Sequence, residues 1–280
     1  MTFLARTASL ALPLLSGADV LGMRPEAWVR PPVAAPRQLS PDQVLALWPR
    51  LHGSTSRPPS DTDLLEGWTA YHNGEFSLAA TRGEALGEKG LALLNQATAI
   101  HANYVEPREA TRLALLRQVA GRAQSQLLAH PDDASALYWL AYALGRHAQA
   151  VSVARALAQG LGSQIKLTLE QLLALQPDHA DAHFALGAFH AEVIDKVGPL
   201  VGRMTYGVRA ETAEALFRRG LVLNPHSASG HIECARALLA LHGETHIDEA
   251  TKLYERAAAI EPADTRERLD QELARLGLRD

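Results

Sequence analysis

The chain has 280 residues with 27 Lys and Arg against 31 Asp and Glu, a formal charge of -4, and 47% of its residues are apolar while only 5% are aromatic. That apolar share is enough to bury a core, the scattered and outnumbered cations argue against a nucleic-acid partner, and the lone Cys234 excludes an internal disulfide or a Cys-rich zinc module. Alanine and leucine dominate, which favours packed helices over strands, and no run reaches the roughly eighteen uninterrupted apolar residues of a membrane span.

In chain order, residues 1–23 form an N-terminal arm or a weak export signal: Arg6, the apolar run Ala8 to Leu15, and a small-x-small site at Ser16-Gly17-Ala18. Cleavage near Ala18 would place the chain in the periplasm, whereas an uncut N-terminus, which Pro13 and Asp19 favour, leaves it cytoplasmic, the expected location. Residues 24–60 carry Pro25, Pro31, Pro32, Pro36, Pro41, Pro49, Pro58 and Pro59, so they read as a Pro-rich linker in which only Asp42 to Trp48 forms a short helix.

From residue 61 to 280 the sequence predicts helix throughout, and a repeat emerges. The signature of a helix-turn-helix unit of roughly 34 residues is Trp-x2-Leu-Gly-x2-Tyr, then Ala-x3-Phe, then Pro. One copy is His183-x2-Leu186-Gly187-x2-His190, Ala213-x3-Phe217 and Pro225; the next is His231-x2-Cys234-Ala235-x2-Leu238, Ala250-x3-Tyr254 and Pro262. An earlier copy is Leu137-x2-Leu140-Ala141-x2-Leu144, Ile165-x3-Leu169 and Pro177, and a weaker one opens the array at Gly67, Gly74-Glu75-Phe76 and Ala79. Small residues mark positions where two helices of a hairpin cross closely, and each proline stops the second helix. Prolines 131, 177, 225 and 262 are spaced 46, 48 and 37 residues apart, so the middle hairpins are enlarged, by about Arg146 to Gly162 and Lys196 to Val208. The expected fold is all-α, a tetratricopeptide-like α-α solenoid of about five helical hairpins.

The stretch from about Trp139 to Pro262, with Gly160 to Lys166, the Leu-Gln-Pro-Asp turn ending at Asp178, His183 to Val193 and Asn224-Pro225, resembles the tetratricopeptide domain of the regulator of microtubule dynamics family and its bacterial relatives. It is more loosely similar to the T-component proteins of TRAP transporters. The resemblance implies a helical-repeat fold with an enlarged hairpin; from the second family it implies a ligand-carrying accessory protein of a periplasmic uptake system.

Motifs of catalysis are absent from the sequence. His242-Gly-Glu-Thr-His246 has Gly243 where a metalloprotease needs Glu, Gly83 to Lys89 lacks the Walker spacing, and there is no Gly-x-Ser-x-Gly elbow. His179, His183 and His190 share one helix face and are weak metal candidates, but His183 and His190 occupy the Trp and Tyr positions of the repeat, where packing accounts for them. No enzyme activity, metal or cofactor is therefore expected. Binding is expected in the concave groove, where repeat register points Leu64, Trp68, Tyr71, Ser135, Tyr138, Tyr142, Asp181, Phe184, Ala188, Ser229, Ile232 and Arg236 outward. Aromatics and Arg are interface anchors, so the expected partner is a protein, as a peptide or partner helix, or else a small apolar ligand.

Overall fold

Helix punctuation in the sequence sets the element boundaries. The computed structural model describes residues 24–53 and 56–279, among which there is no strand; the export-signal reading of residues 1–23 lies outside them. Helix α1 (Pro41–His52) starts at a Ser40–Gln43 capping box with Pro41 in its first turn. Helices α2 (Thr62–His72) and α3 (Phe76–Ala85) turn at Gly74, whose φ of 82° only glycine adopts readily. Helix α4 (Leu91–Ile100) runs into a π turn (His101–Val105), and α5 (Glu109–Ala129) follows. Beyond Pro131, Asp133 caps α6 (Ala134–Gln149), which leads through α7 (Val153–Ala158) to α8 (Leu161–Leu175). Next come α9 (Ala180–Val197), α10 (Pro199–Tyr206) and α11 (Ala210–Leu223), then α12 (Ala228–His242) and α13 (Ile247–Ala259). Helix α14 (Thr265–Gly277), capped by Asp264, ends the fold.

Five antiparallel hairpins result: α2/α3, α4/α5, α6/α8, α9/α11 and α12/α13. The enlargements inferred from the proline spacing are the short helices α7 and α10, each inserted between the two helices of its hairpin. At the crossing in the fourth hairpin, a Cβ on Gly187 would meet the Phe217 ring at 2.9 Å and the Ala213 carbonyl at 3.2 Å, which is why a glycine stands there. Cys234, at the equivalent of Leu186, packs among Ala237, Phe217, Leu238 and their neighbours.

A backbone-to-backbone contact lies near the start of the array. Gly83 of α3 and Gly90, just ahead of α4, touch backbone to backbone: a Cβ on Gly90 would overlap the Gly83 carbonyl, and one on Gly83 would lie 2.8 Å from the Leu94 amide nitrogen. Backbone cannot rotate aside as a side chain can. Gly90→Ala is therefore expected to cost about 3 kcal/mol or more in urea unfolding. Gly121→Ala, on an open face of α5, is expected instead to stabilise by about 0.5 kcal/mol.

Two features complete the expected array of hairpins. First, residues 24–53 dock on the array. Helix α1 is longer than Asp42 to Trp48 and holds Pro49 within it, its Val44 and Trp48 are buried, Trp48 meets Trp68 edge-on at 5.8 Å, and Trp28 stacks on His101 at 4.3 Å. Asn73 ties the arm down, accepting from the Leu39 amide at 2.8 Å and donating to the Leu39 carbonyl at 3.0 Å. Second, the array does not stay open. The start of α14 returns to the first and second hairpins: His72 donates from Nδ1 to Asp264 at 2.7 Å, Arg50 of α1 pairs with Glu267 at 2.7 Å, and Tyr104 of the π turn donates to Asp270. The first helices of successive hairpins, together with α14, thus form a closed ring.

Candidate functional site

Inside that ring is a cavity of about 180 Å³. Each wall comes from a different element: Tyr104 from the π turn, Tyr138, Tyr142 and Arg146 from α6, Asp181, Phe184, Ala188 and Glu192 from α9, Ser229 and Glu233 from α12, and Arg266 from α14. Its other end is apolar, bounded by Ile165 and Leu169 of α8 and Phe189 and Val193 of α9, with α7 and Tyr206 of α10 at the margin.

The polar end is held by paired charges. Arg146 reaches Glu233 at 3.0 Å and covers the Tyr142 ring, its guanidinium carbon 5.3 Å from the centroid. Arg266 donates to Ser229 Oγ at 3.1 Å and sits 3.5 Å from Asp270. Burial pushes the Asp270 carboxyl up, although the neighbouring Arg266 guanidinium opposes this. Burial also raises the phenols of Tyr104, Tyr138 and Tyr142 above their ordinary value, with Asp270 adding to the rise at Tyr104. At neutral pH the cavity thus presents three uncharged phenols and two guanidiniums.

Of the twelve groove residues expected from repeat register, the structure brings Tyr138, Tyr142, Asp181, Phe184, Ala188 and Ser229 together in this cavity. The others lie elsewhere. Trp68 and Tyr71 are buried, Trp68 packed edge-on against Trp48 of α1, and Leu64 is half-buried against the core. Ile232 is buried with Ala257 of α13 and Ala274 of α14, and Arg236 stands exposed, 3.6 Å from Glu233 and outside the cavity lining. Helices from outside the repeat pattern, α1 and α14, cover what register alone leaves open. Register also passed over Tyr104, Arg146, Glu233 and Arg266. Arg146 and Glu233 follow Tyr142 and Ser229 by four residues, so one more helical turn of the same register reaches both.

The three histidines considered for metal have separate backbone partners. His179 caps α9, accepting from the Ala182 amide at 3.2 Å; His183 Nε2 meets the Pro177 carbonyl at 2.8 Å; His190 Nδ1 accepts from the Arg209 amide at 3.1 Å. Burial lowers the values of His179 and His190. Among the described residues no group of three or more His, Cys, Asp or Glu side chains is placed to hold a metal ion. Burial drives the Cys234 thiol up to about 12, which leaves it protonated and poorly nucleophilic at neutral pH. The His72–Asp264 couple, a familiar catalytic pairing, is 1% and 3% exposed, out of reach of any substrate. Residues 242–246, whose His-x3-His pattern lacks a metalloprotease Glu, form the end of α12 and a short 3₁₀ turn (Gly243–His246).

Among solved structures, the chain is similar to the crystal structure of TTC0263, a thermophilic TPR protein of Thermus thermophilus, with a TM-score of 0.55 over 77% of this chain and 98% of that one, at 19% sequence identity. The fold is tetratricopeptide-like. No protein-family model matches the chain, and no curated protein does. At that identity the likeness carries the architecture alone. The tetratricopeptide-like array therefore supplies the scaffold, and any binding chemistry has to be read from the side chains lining its cavity.

Proposed function

We propose that the protein is a non-enzymatic interaction scaffold that receives a peptide or helix of a protein partner at the ring-enclosed cavity. One observation carries this reading: Tyr138, Tyr142, Phe184, Arg146 and Arg266, side-chain types that anchor interfaces, converge from separate hairpins and α14 on accessible space, with no activated nucleophile among them. An apolar side chain of the partner fits between Tyr142, Phe184 and Ala188, and a carbonyl or carboxylate beside it finds donors on Arg146, Arg266 and the phenols. The cytoplasm is the proposed location, and the mature N-terminus of the isolated protein tests it.

Ala188→Trp places an indole into the cavity. The variant is expected to keep the helical signal and melting behaviour of the wild type and to lose the partners that wild-type protein recovers in a pull-down; equal recovery by both would discard the cavity as the binding surface. A second reading, a small apolar ligand carried by a periplasmic accessory protein, is favoured by the apolar end at Ile165, Leu169, Phe189 and Val193. Native mass spectrometry separates the two, since a ligand carrier retains an added small mass that Ala188→Trp loses.

A further inference from the structure

The two inserted helices carry an exposed surface beside the cavity: Val153 and Leu157 of α7 also border the cavity margin, whereas Leu200, Val201 and Met204 of α10 lie outside its lining. Both lie at one edge of the array, near the start of α8: α7 leads directly into it, and a Cβ on Gly162 would meet the Tyr206 ring at the end of α10 at 2.9 Å. Between them they hold five of the large apolar side chains that the fold leaves in solvent. Leu200, Val201 and Met204 of α10 are 70%, 53% and 80% exposed, and Val153 and Leu157 of α7 add to them. Isolated exposed apolar residues are ordinary on a protein surface. Three such residues within five positions of one short helix are not isolated.

Charge at this edge runs against the rest of the chain. Residues 150–165 contain Arg155 and no acid, and residues 196–209 contain Lys196, Arg203 and Arg209 and no acid, in a protein whose formal charge is -4. All four cations are exposed, and among the described residues none stands in an ion pair. The adjoining acids are Asp195, exposed at the end of α9, Glu211, exposed in the first turn of α11, and Glu192, which faces the cavity, accepts from Gln149 and has its carboxyl value raised by burial, with Lys196 opposing the rise. Elsewhere cations are commonly compensated: Arg82 by Glu66, Arg219 by Asp178, and Arg268 and Arg275 by Glu272.

We infer that the edge formed by α7 and α10 docks on an anionic lipid surface, with Leu200, Val201 and Met204 entering the acyl boundary and Arg155, Lys196, Arg203 and Arg209 resting among the headgroups. Charge complementarity selects this occupant. Protruding apolar side chains suit a soft apolar layer without a matching pocket, and an uncompensated basic rim gains from the negative surface potential of such a layer. The apolar contact rests on Leu200, Val201 and Met204, none of which lines the cavity.

Co-sedimentation of the full chain with vesicles tests it. Binding is expected to vesicles of phosphatidylcholine mixed with phosphatidylglycerol and to fall with added salt, with little binding to phosphatidylcholine alone. Leu200→Ser with Met204→Ser, both at exposed positions where the fold does not depend on them, should lower the partition coefficient about tenfold or more, with an unchanged circular dichroism spectrum. Lys196→Gln with Arg203→Gln should lower it several-fold on the anionic vesicles only. Absence of sedimentation with anionic vesicles, as a proteinaceous partner for this edge would give, overturns the inference. So does undiminished binding by the serine variant, which would place the contact elsewhere in the chain, or equal binding to the uncharged vesicles.

Discussion

Lowering the pH from about 7.5 to about 5 is expected to remove about 4 kcal/mol of folding stability through two buried histidines, His101 and His147. Burial holds each at about 4 against an ordinary 6.5, with Glu106 partly opposing the shift at His101 and Arg117 adding to it at His147. The unfolded chain takes up these protons near 6.5 and the folded chain only near 4, so their contribution is complete above 6.5 and is lost as the pH falls through that window. At about pH 5 each histidine accounts for about 2 kcal/mol, a large share of a typical domain's 5–15 kcal/mol, roughly. His52, His179 and His190 are shifted in the same direction, chiefly by burial. The raised carboxyls of Glu192, Glu267 and Asp270 act oppositely and offset part of the loss at the acid end.

His147 offers the cleaner test, because neither of its ring nitrogens has a hydrogen-bond partner and the residue is 1% exposed. His147→Leu should gain about 1 kcal/mol at neutral pH by removing two unsatisfied polar atoms and should roughly halve the acid loss. His101→Phe keeps a ring against Trp28 and should flatten the remainder. Urea unfolding midpoints at the two pH values decide the matter. Variants whose midpoints fall with pH in parallel to wild type would place the acid sensitivity elsewhere.

Much of the architecture was legible in the sequence because the features that specify it are local. Closing prolines and small crossing residues such as Gly187 and Ala235 each act within one hairpin, and their recurrence indicates stacking. Enlarged middle hairpins followed from proline spacing alone. The second hairpin was less legible: Pro131 ends it, but α4 passes through a π turn that breaks the 3.6-residue register before α5 begins. The cavity lining was half legible for a related reason. Tyr138, Tyr142, Phe184 and Ala188 belong to the central hairpins, where register decides which side chains face inward. Trp68, Tyr71 and Ile232 sit toward the ends of the array, where covering helices decide. Helix α14 gives little hydropathic sign that it will be an inner element, because Asp264, Asp270 and Gln271 are polar side chains buried by pairing rather than by apolar contact.

That pairing makes the closure of the ring testable. Asp264 accepts from the Glu267 amide at 2.8 Å as the cap of α14 and from His72 at 2.7 Å, while His72 Nε2 meets His52 Nε2 at 3.0 Å. One carboxylate therefore starts the last helix and anchors it to the first hairpin, and through His52 to α1. Asp264→Ala leaves a buried imidazole without its acceptor and an uncapped helix, which should together cost about 4 kcal/mol. A double-mutant cycle with His72→Ala separates the two contributions: the coupling should be about 2 kcal/mol, and the part of the loss that persists in the His72→Ala background belongs to the cap. Because Trp48 and Trp68 lie under this junction, lifting of α14 should shift their emission to the red before global unfolding. A loss under about 1 kcal/mol with no coupling would mean that the Arg50–Glu267 and Tyr104–Asp270 contacts and the packing of Leu269 and Ala274 hold α14 in place without this junction. With the junction intact, Arg266 is fixed over the cavity from the fourth residue behind Asp270; with it broken, the cavity loses one wall and one of its two guanidiniums, so partner recovery should fall in step with the emission shift.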